Sequence, residues 1–112
     1  MIRTILILVL GLYSFALSAT IHVPGDQPTI QSGADFATEG DTVLVAPGIY
    51  FENIIIESKG IALISEAGPA STTIMPEDST QRTLYVPSNQ GRNFILRGFT
   101  FKGSKAYVCV EI

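Results

Sequence analysis

The residues that could do chemistry in this chain are few and scattered. Glu77-Asp78 is the only adjacent pair of carboxylates, the groups that glycoside hydrolysis or a calcium site requires. Set between Pro76 and Ser79, the pair reads as a solvated turn. Arg92, Arg97, Lys102 and Lys105 form a mild basic cluster that could meet an acidic polysaccharide, although scattered solvated charges are the better reading of it. Tyr85 and Tyr107 share outward parity beside Leu84, Val86, Val108 and Val110, so they could offer aromatic faces to sugars, whereas Tyr50 packs into a corner. The candidate glycan contacts are therefore Tyr85, Tyr107, Arg97 and Lys102. His22 has no Cys, second His or Ser beside it and reads as a strand residue. Cys109 shares the parity of Tyr107 and lacks a neighbouring base, and one cysteine allows neither an internal disulfide nor a multi-cysteine metal site. No catalytic, metal or cofactor-binding residue is assigned, and no cofactor is expected.

What these side chains can do depends on the elements that carry them. The 112 residues hold at most one small domain, and the first nineteen look like a leader. Arg3 supplies a positive start, Ile5 to Leu17 is an apolar run, and Ser18-Ala19-Thr20 are small. Cleavage after Ser18 puts Ala16 at the minus-three position; cleavage after Ala19 puts Leu17 there, a poorer fit. The expectation is a signal peptide over 1–19 and an exported product, outside the cell or on its surface, with the periplasm as the alternative. Without Arg3 the chain keeps 6 basic against 10 acidic residues. Such a surface lacks the footprint that nucleic acid needs, and no polybasic membrane patch is present.

Residues 20–41 read as a strand, Ile21 to Val23, followed by a capping helix that opens with Pro28 in its first position. Ile30, Ala34 and Ala37 share one face, and Gln31, Asp35 and Thr38 the other. Laid across the first rung of a stack, such a helix covers the apolar cross-section and blocks unwanted strand pairing. From Gly40 to Ile56 the pattern is strand, Pro47-Gly48 corner, strand, with Val43 and Val45 alternating on one face and Ile54 and Ile56 resuming it.

The rest repeats this unit. Asn53-Ile54, Thr73-Ile74 and Asn93-Phe94 recur about every 20 residues, a solenoid period that predicts one inward column of Ile54, Ile74 and Phe94 beside a polar column of Asn53, Thr73 and Asn93. A second column runs through Val43 and Val45, Ile61 and Leu63, Leu84 and Val86, and Val108 and Val110. A further strand follows Gly98, with Phe99 and Phe101 inward. The expected fold is all-β, a right-handed parallel β-helix with a helical cap over 20–41 and about three coils over 42–112. A small antiparallel sandwich is the alternative, disfavoured because no Asn-Gly or Asp-Gly hairpin turn occurs. Tyr107 to Ile112 is followed by no polar terminal repeat, so further coils are expected beyond it.

The stretch from Pro28 to Gly68 resembles the cap and first coils of right-handed parallel β-helix proteins of the pectin-lyase-like superfamily, over about Ile21 to Phe101. A weaker similarity reaches the pectin methylesterases through Thr29-Ile30-Gln31, Pro47-Gly48-Ile49-Tyr50 and Glu52-Asn53. The resemblance carries a fold and no active site. The esterases' glutamine and aspartate pair has no counterpart in Gly103 to Ile112, and neither the calcium-binding aspartates nor the arginine base of a lyase is present. Ala34 and Phe36 depart from the usual larger-then-smaller apolar order, which implies a rotated or tilted helix. The function expected is a non-catalytic scaffold or polysaccharide-binding surface. The alternatives are the front of a carbohydrate-active enzyme, with its active site beyond residue 112, and a structural stalk or adhesin.

Overall fold

The computed structural model describes residues 17–57, 59–87 and 93–103, and the backbone of 108–110. Within them short alternating segments form β1 (Thr20–Val23), β2 (Thr42–Val45), β3 (Gly48–Phe51), β4 (Ile54–Ile55), β5 (Ala62–Ser65), β6 (Thr72–Met75), β7 (Leu84–Val86), β8 (Ile95–Arg97), β9 (Thr100–Phe101) and β10 (Val108–Val110). One helix, α1 (Ile30–Phe36), lies between β1 and β2. All pairing is parallel, in three sheets: A (β1-β2-β5-β8), B (β3-β6-β9) and C (β4-β7-β10). The chain visits A, B and C in turn and then rises one rung, giving a β-solenoid of about three turns.

Parity decides the core, because alternate residues of a strand face opposite sides of the sheet. Sheet A sends in Ile21, Val43 and Leu63, sheet B sends in Ile74, and sheet C sends in Ile54 and Leu84, each almost wholly buried. Tyr50, Phe94, Leu96, Phe99 and Phe101 pack half-buried against them. Gly98, at φ 86°, is placed where any Cβ would strike the Ser65 side chain one rung away.

The column of Ile54, Ile74 and Phe94 is not observed. Ile54 pairs with Leu84 in sheet C and Ile74 with Tyr50 and Phe101 in sheet B, while Phe94 immediately precedes β8 of sheet A. The reason is coil length. Ile54 and Leu84 are 30 residues apart, so a step of about 20 covers only two of the three faces and lands on a different sheet each time. The polar column fails with it. Likewise the second column merges two real ones, Val43 with Leu63 in sheet A and Leu84 with Val108 in sheet C. The stretch from Gly40 to Ile56 also holds three strands, since Gly48 to Phe51 pairs in its own sheet before β4 begins.

The first rung is closed by named contacts. In α1, Thr29 and not Pro28 sets the start: its Oγ1 accepts from Ser32 N (3.0 Å) and its N–H donates to Ser32 Oγ (3.1 Å). Glu52 accepts from the next two free donors, Ile30 N and Gln31 N, each at 2.9 Å, placing negative charge at the positive end of the helix. Lys59 Nζ reaches the other end and donates to the Ala34 and Asp35 carbonyls at 2.8 and 2.9 Å. Gly33 lets the helix sit flush on β1 and β2, for a Cβ there would lie 2.9 Å from Val23 Cγ2. As the helix settles, Ala34 is buried while Phe36 stays 65% exposed.

Two unpaired strand edges are also covered. The Gln31 amide mimics a neighbouring strand, its Oε1 accepting from Ile55 N (2.8 Å) and its Nε2 donating to Ile55 O (2.9 Å). On β1, His22 N–H donates to Asp26 Oδ2 (2.8 Å) and His22 C=O accepts from Asp26 N (2.7 Å) and Gln27 N (3.1 Å). The exposed His22 thus serves the edge through its backbone.

The core retains two defects, the Thr72 and Thr83 hydroxyls, fully buried without hydrogen-bond partners among the described residues. A buried hydroxyl that has left water for no partner is unfavourable. Replacing Thr72 with valine should stabilise the fold by about 1 kcal/mol and raise the thermal midpoint by about 4–8 °C, read by thermal unfolding; an unchanged or lowered midpoint would contradict the placement.

Candidate binding surfaces

Sheet C carries an outer groove, about 460 Å³, lined by Asn53, Ile55, Thr80, Gln81, Arg82 and Tyr85. Strand parity brings Ile55 and Tyr85 side by side on the outer face. The turn between β6 and β7 then folds over them, held by Asn53: its Oδ1 accepts from Asp78 N (2.8 Å) and its Nδ2 donates to the Asp78 and Arg82 carbonyls (both 3.0 Å). Asp78 stiffens the same turn by accepting from Thr80 Oγ1 (2.6 Å) and Thr80 N (2.9 Å). These bonds, the hydroxyl's first, hold its carboxyl below the usual range against slight desolvation. The Glu77-Asp78 segment is therefore an exposed turn in which Asp78 acts locally.

Anchored this way, the Arg82 guanidinium carbon lies 4.4 Å from the centre of the Tyr85 ring. The arrangement changes the role read for Tyr85. Its face carries a cation, so what the groove presents is an oriented planar guanidinium, suited to a carboxylate or phosphate. Gln81 and Thr80 add polar groups beside it.

Among the described residues, the other candidate contacts do not join this groove. Arg97 is exposed on β8 of sheet A, and Lys102 is exposed just after β9 of sheet B, its N–H donating to Ile74 O (3.1 Å). Tyr85, Arg97 and Lys102 therefore sit on three different faces. Tyr107, Arg92 and Lys105 lie outside the described residues. Cys109 is in backbone register with Tyr85. Tyr50 occupies a corner, its hydroxyl donating to Ala46 O (2.7 Å); burial, then the charges of Glu52 and Glu66, push its pKa up.

A second groove, about 480 Å³, runs between α1 and β4 past Gln31, Asp35, Glu57 and Lys59. Gln31 and Lys59 are already committed to backbone groups, which makes it a seam of the cap. Among the described residues no three His, Cys, Asp or Glu side chains converge as metal ligands, and no helix is long and apolar enough to cross a membrane.

Sequence reasoning overlooked Arg82, Asn53 as an anchor, and the Glu52 cap. The Glu52-Asn53 dipeptide was a usable signal: two polar side chains at a corner can reach both the cap behind and the coil ahead. No protein-family model, curated protein or solved structure matches the chain.

Proposed function

We propose that the chain is the capped beginning of an exported, right-handed β-helix of the pectin-lyase-like kind, serving as a non-catalytic scaffold that binds acidic polysaccharide along its outer surface. The observation that supports this reading is the guanidinium of Arg82 held over Tyr85 in the sheet C groove. A carboxylated sugar offers a planar anion for Arg82, and its hydroxyls suit Gln81 and Thr80. A regular solenoid surface also matches an extended polymer, since rungs repeat at about 4.8 Å along the axis.

Titrating the exported protein with polygalacturonate and with a neutral glucan tests the reading. Binding is expected for the acidic polymer alone, weakening with salt. Arg82→Ala should weaken it about tenfold, the effect of losing one charge-assisted contact. Equal affinity for the neutral polymer, an unaffected Arg82→Ala variant, or release of shortened sugars would refute a binding scaffold of this type.

A further inference from the structure

Ala19 is tied to the first rung through its backbone. Its carbonyl accepts from Thr42 N (2.9 Å) and its N–H donates to Asp41 Oδ1 (2.8 Å), so both backbone groups are fixed. Leu17, by contrast, is 85% exposed, and neither it nor Ser18 makes a hydrogen bond with another described residue. Asp41 is only 7% exposed, and its other donors are Thr38 N (2.9 Å) and Thr38 Oγ1 (3.1 Å). All three donors are uncharged. A buried carboxylate surrounded by neutral donors has room in its electrostatics for a cation.

We propose that the chain is cut between Ser18 and Ala19 during export, and that Asp41 is the receptor for the α-ammonium group so released. The inference rests on the export reading above. Water adds across the Ser18–Ala19 peptide bond, catalysed by a leader peptidase of the exporting cell. The Ser18 carbonyl becomes a carboxylate and departs with the leader, and the Ala19 nitrogen gains protons to become an ammonium. That nitrogen already stands at hydrogen-bond distance from Asp41, so the neutral contact becomes an ion pair with no rearrangement of β1. Cleavage one residue later would remove both the donor to Asp41 and the carbonyl that accepts from Thr42. The fold therefore distinguishes two sites that small-residue spacing leaves close together.

The experiment takes the complete precursor, expresses it in a secreting host, and determines the N-terminal residue and the α-amine reactivity of the exported protein. Ala19 is expected at the N-terminus. Its α-amine should be acetylated at pH 7 at least about tenfold more slowly than that of an unstructured Ala-Thr-Ile-His peptide, because an adjacent carboxylate keeps the amine protonated. In Asp41→Asn the rate should rise toward that of the peptide; if that variant does not fold, the comparison of wild type with peptide stands alone. An N-terminus at Thr20, or an Ala19 amine as reactive as the peptide, overturns the receptor role and leaves export intact. A retained leader on an exported product overturns the cut and the receptor role together, whereas a precursor that stays inside the cell overturns the export reading on which they rest.

Discussion

Truncation of Leu84 to alanine should lower the free energy of unfolding by about 3–4 kcal/mol, measured by urea denaturation. Leu84 is fully buried, with Ile54 on the rung before it and Val108 in register on the rung after. Loss of its side chain removes apolar burial and leaves a cavity that parallel rungs, tied by backbone bonds on both sides, cannot easily close. Set against the stability of about 5–15 kcal/mol usual for a native domain, this is a large fraction. Ile55→Ala is the control. Ile55 belongs to the strand that pairs with Leu84 but is 48% exposed on the outer face, and its truncation should cost less than about 1 kcal/mol. Combining Leu84→Ala with Ile54→Val should give a coupling energy of at least about 0.5 kcal/mol, as contacting side chains do. Strictly additive effects would show that Ile54 and Leu84 are not stacked.

Asp41→Ala should cost about 3 kcal/mol, because it strands the Thr38 and Ala19 backbone donors at a corner where water is largely excluded. This effect carries a pH signature. The backbone bond from Thr38, then that from Ala19, hold the Asp41 carboxyl below its ordinary value of 3.8, with desolvation opposing and the Thr38 hydroxyl assisting. A depressed folded-state value means that the unfolded chain takes up the proton first as acid is added. The ionised group therefore contributes its full stabilisation above pH 3.8, and the contribution fades as pH falls through the lower folded value. The stability gap between wild type and Asp41→Ala should thus be constant from neutral pH down to about 5 and narrow below about 4. A gap that widens in acid would contradict the assignment.

These effects show what sequence pattern could and could not convey. The alternation of Val43 with Val45 and of Leu84 with Val86 marks inward positions, because strand parity is a local property that a few consecutive residues express. Which rung lies on which is not local. All three faces draw on the same branched apolar residues, and the coils differ in length, with 20 residues from Val43 to Leu63 but 33 from Leu63 to Leu96. Pattern matching consequently joined residues from different sheets. The cap shows the same division. Ile30 and Ala34 declare the buried helical face, yet the partners that fix it, Glu52 to Ile30 and Asp41 to Ala19, lie 22 residues apart in sequence. In the groove, the outward parity of Tyr85 was legible. Arg82 was not, since a cation in a turn acquires meaning only once the turn has folded over a particular ring.

The closed first rung gives the solenoid a direction. With the Gln31 amide filling the hydrogen-bonding row at β4 and Asp26 doing so at β1, no further coil can be added on that side without dismantling the helix. Accretion of rungs, whether by gene duplication or by engineered splicing, is confined to the opposite side. The capped turn is thus a foundation stone: units of whole coils can be laid on it, each advancing the outer groove by one rung height, while the base remains unaltered.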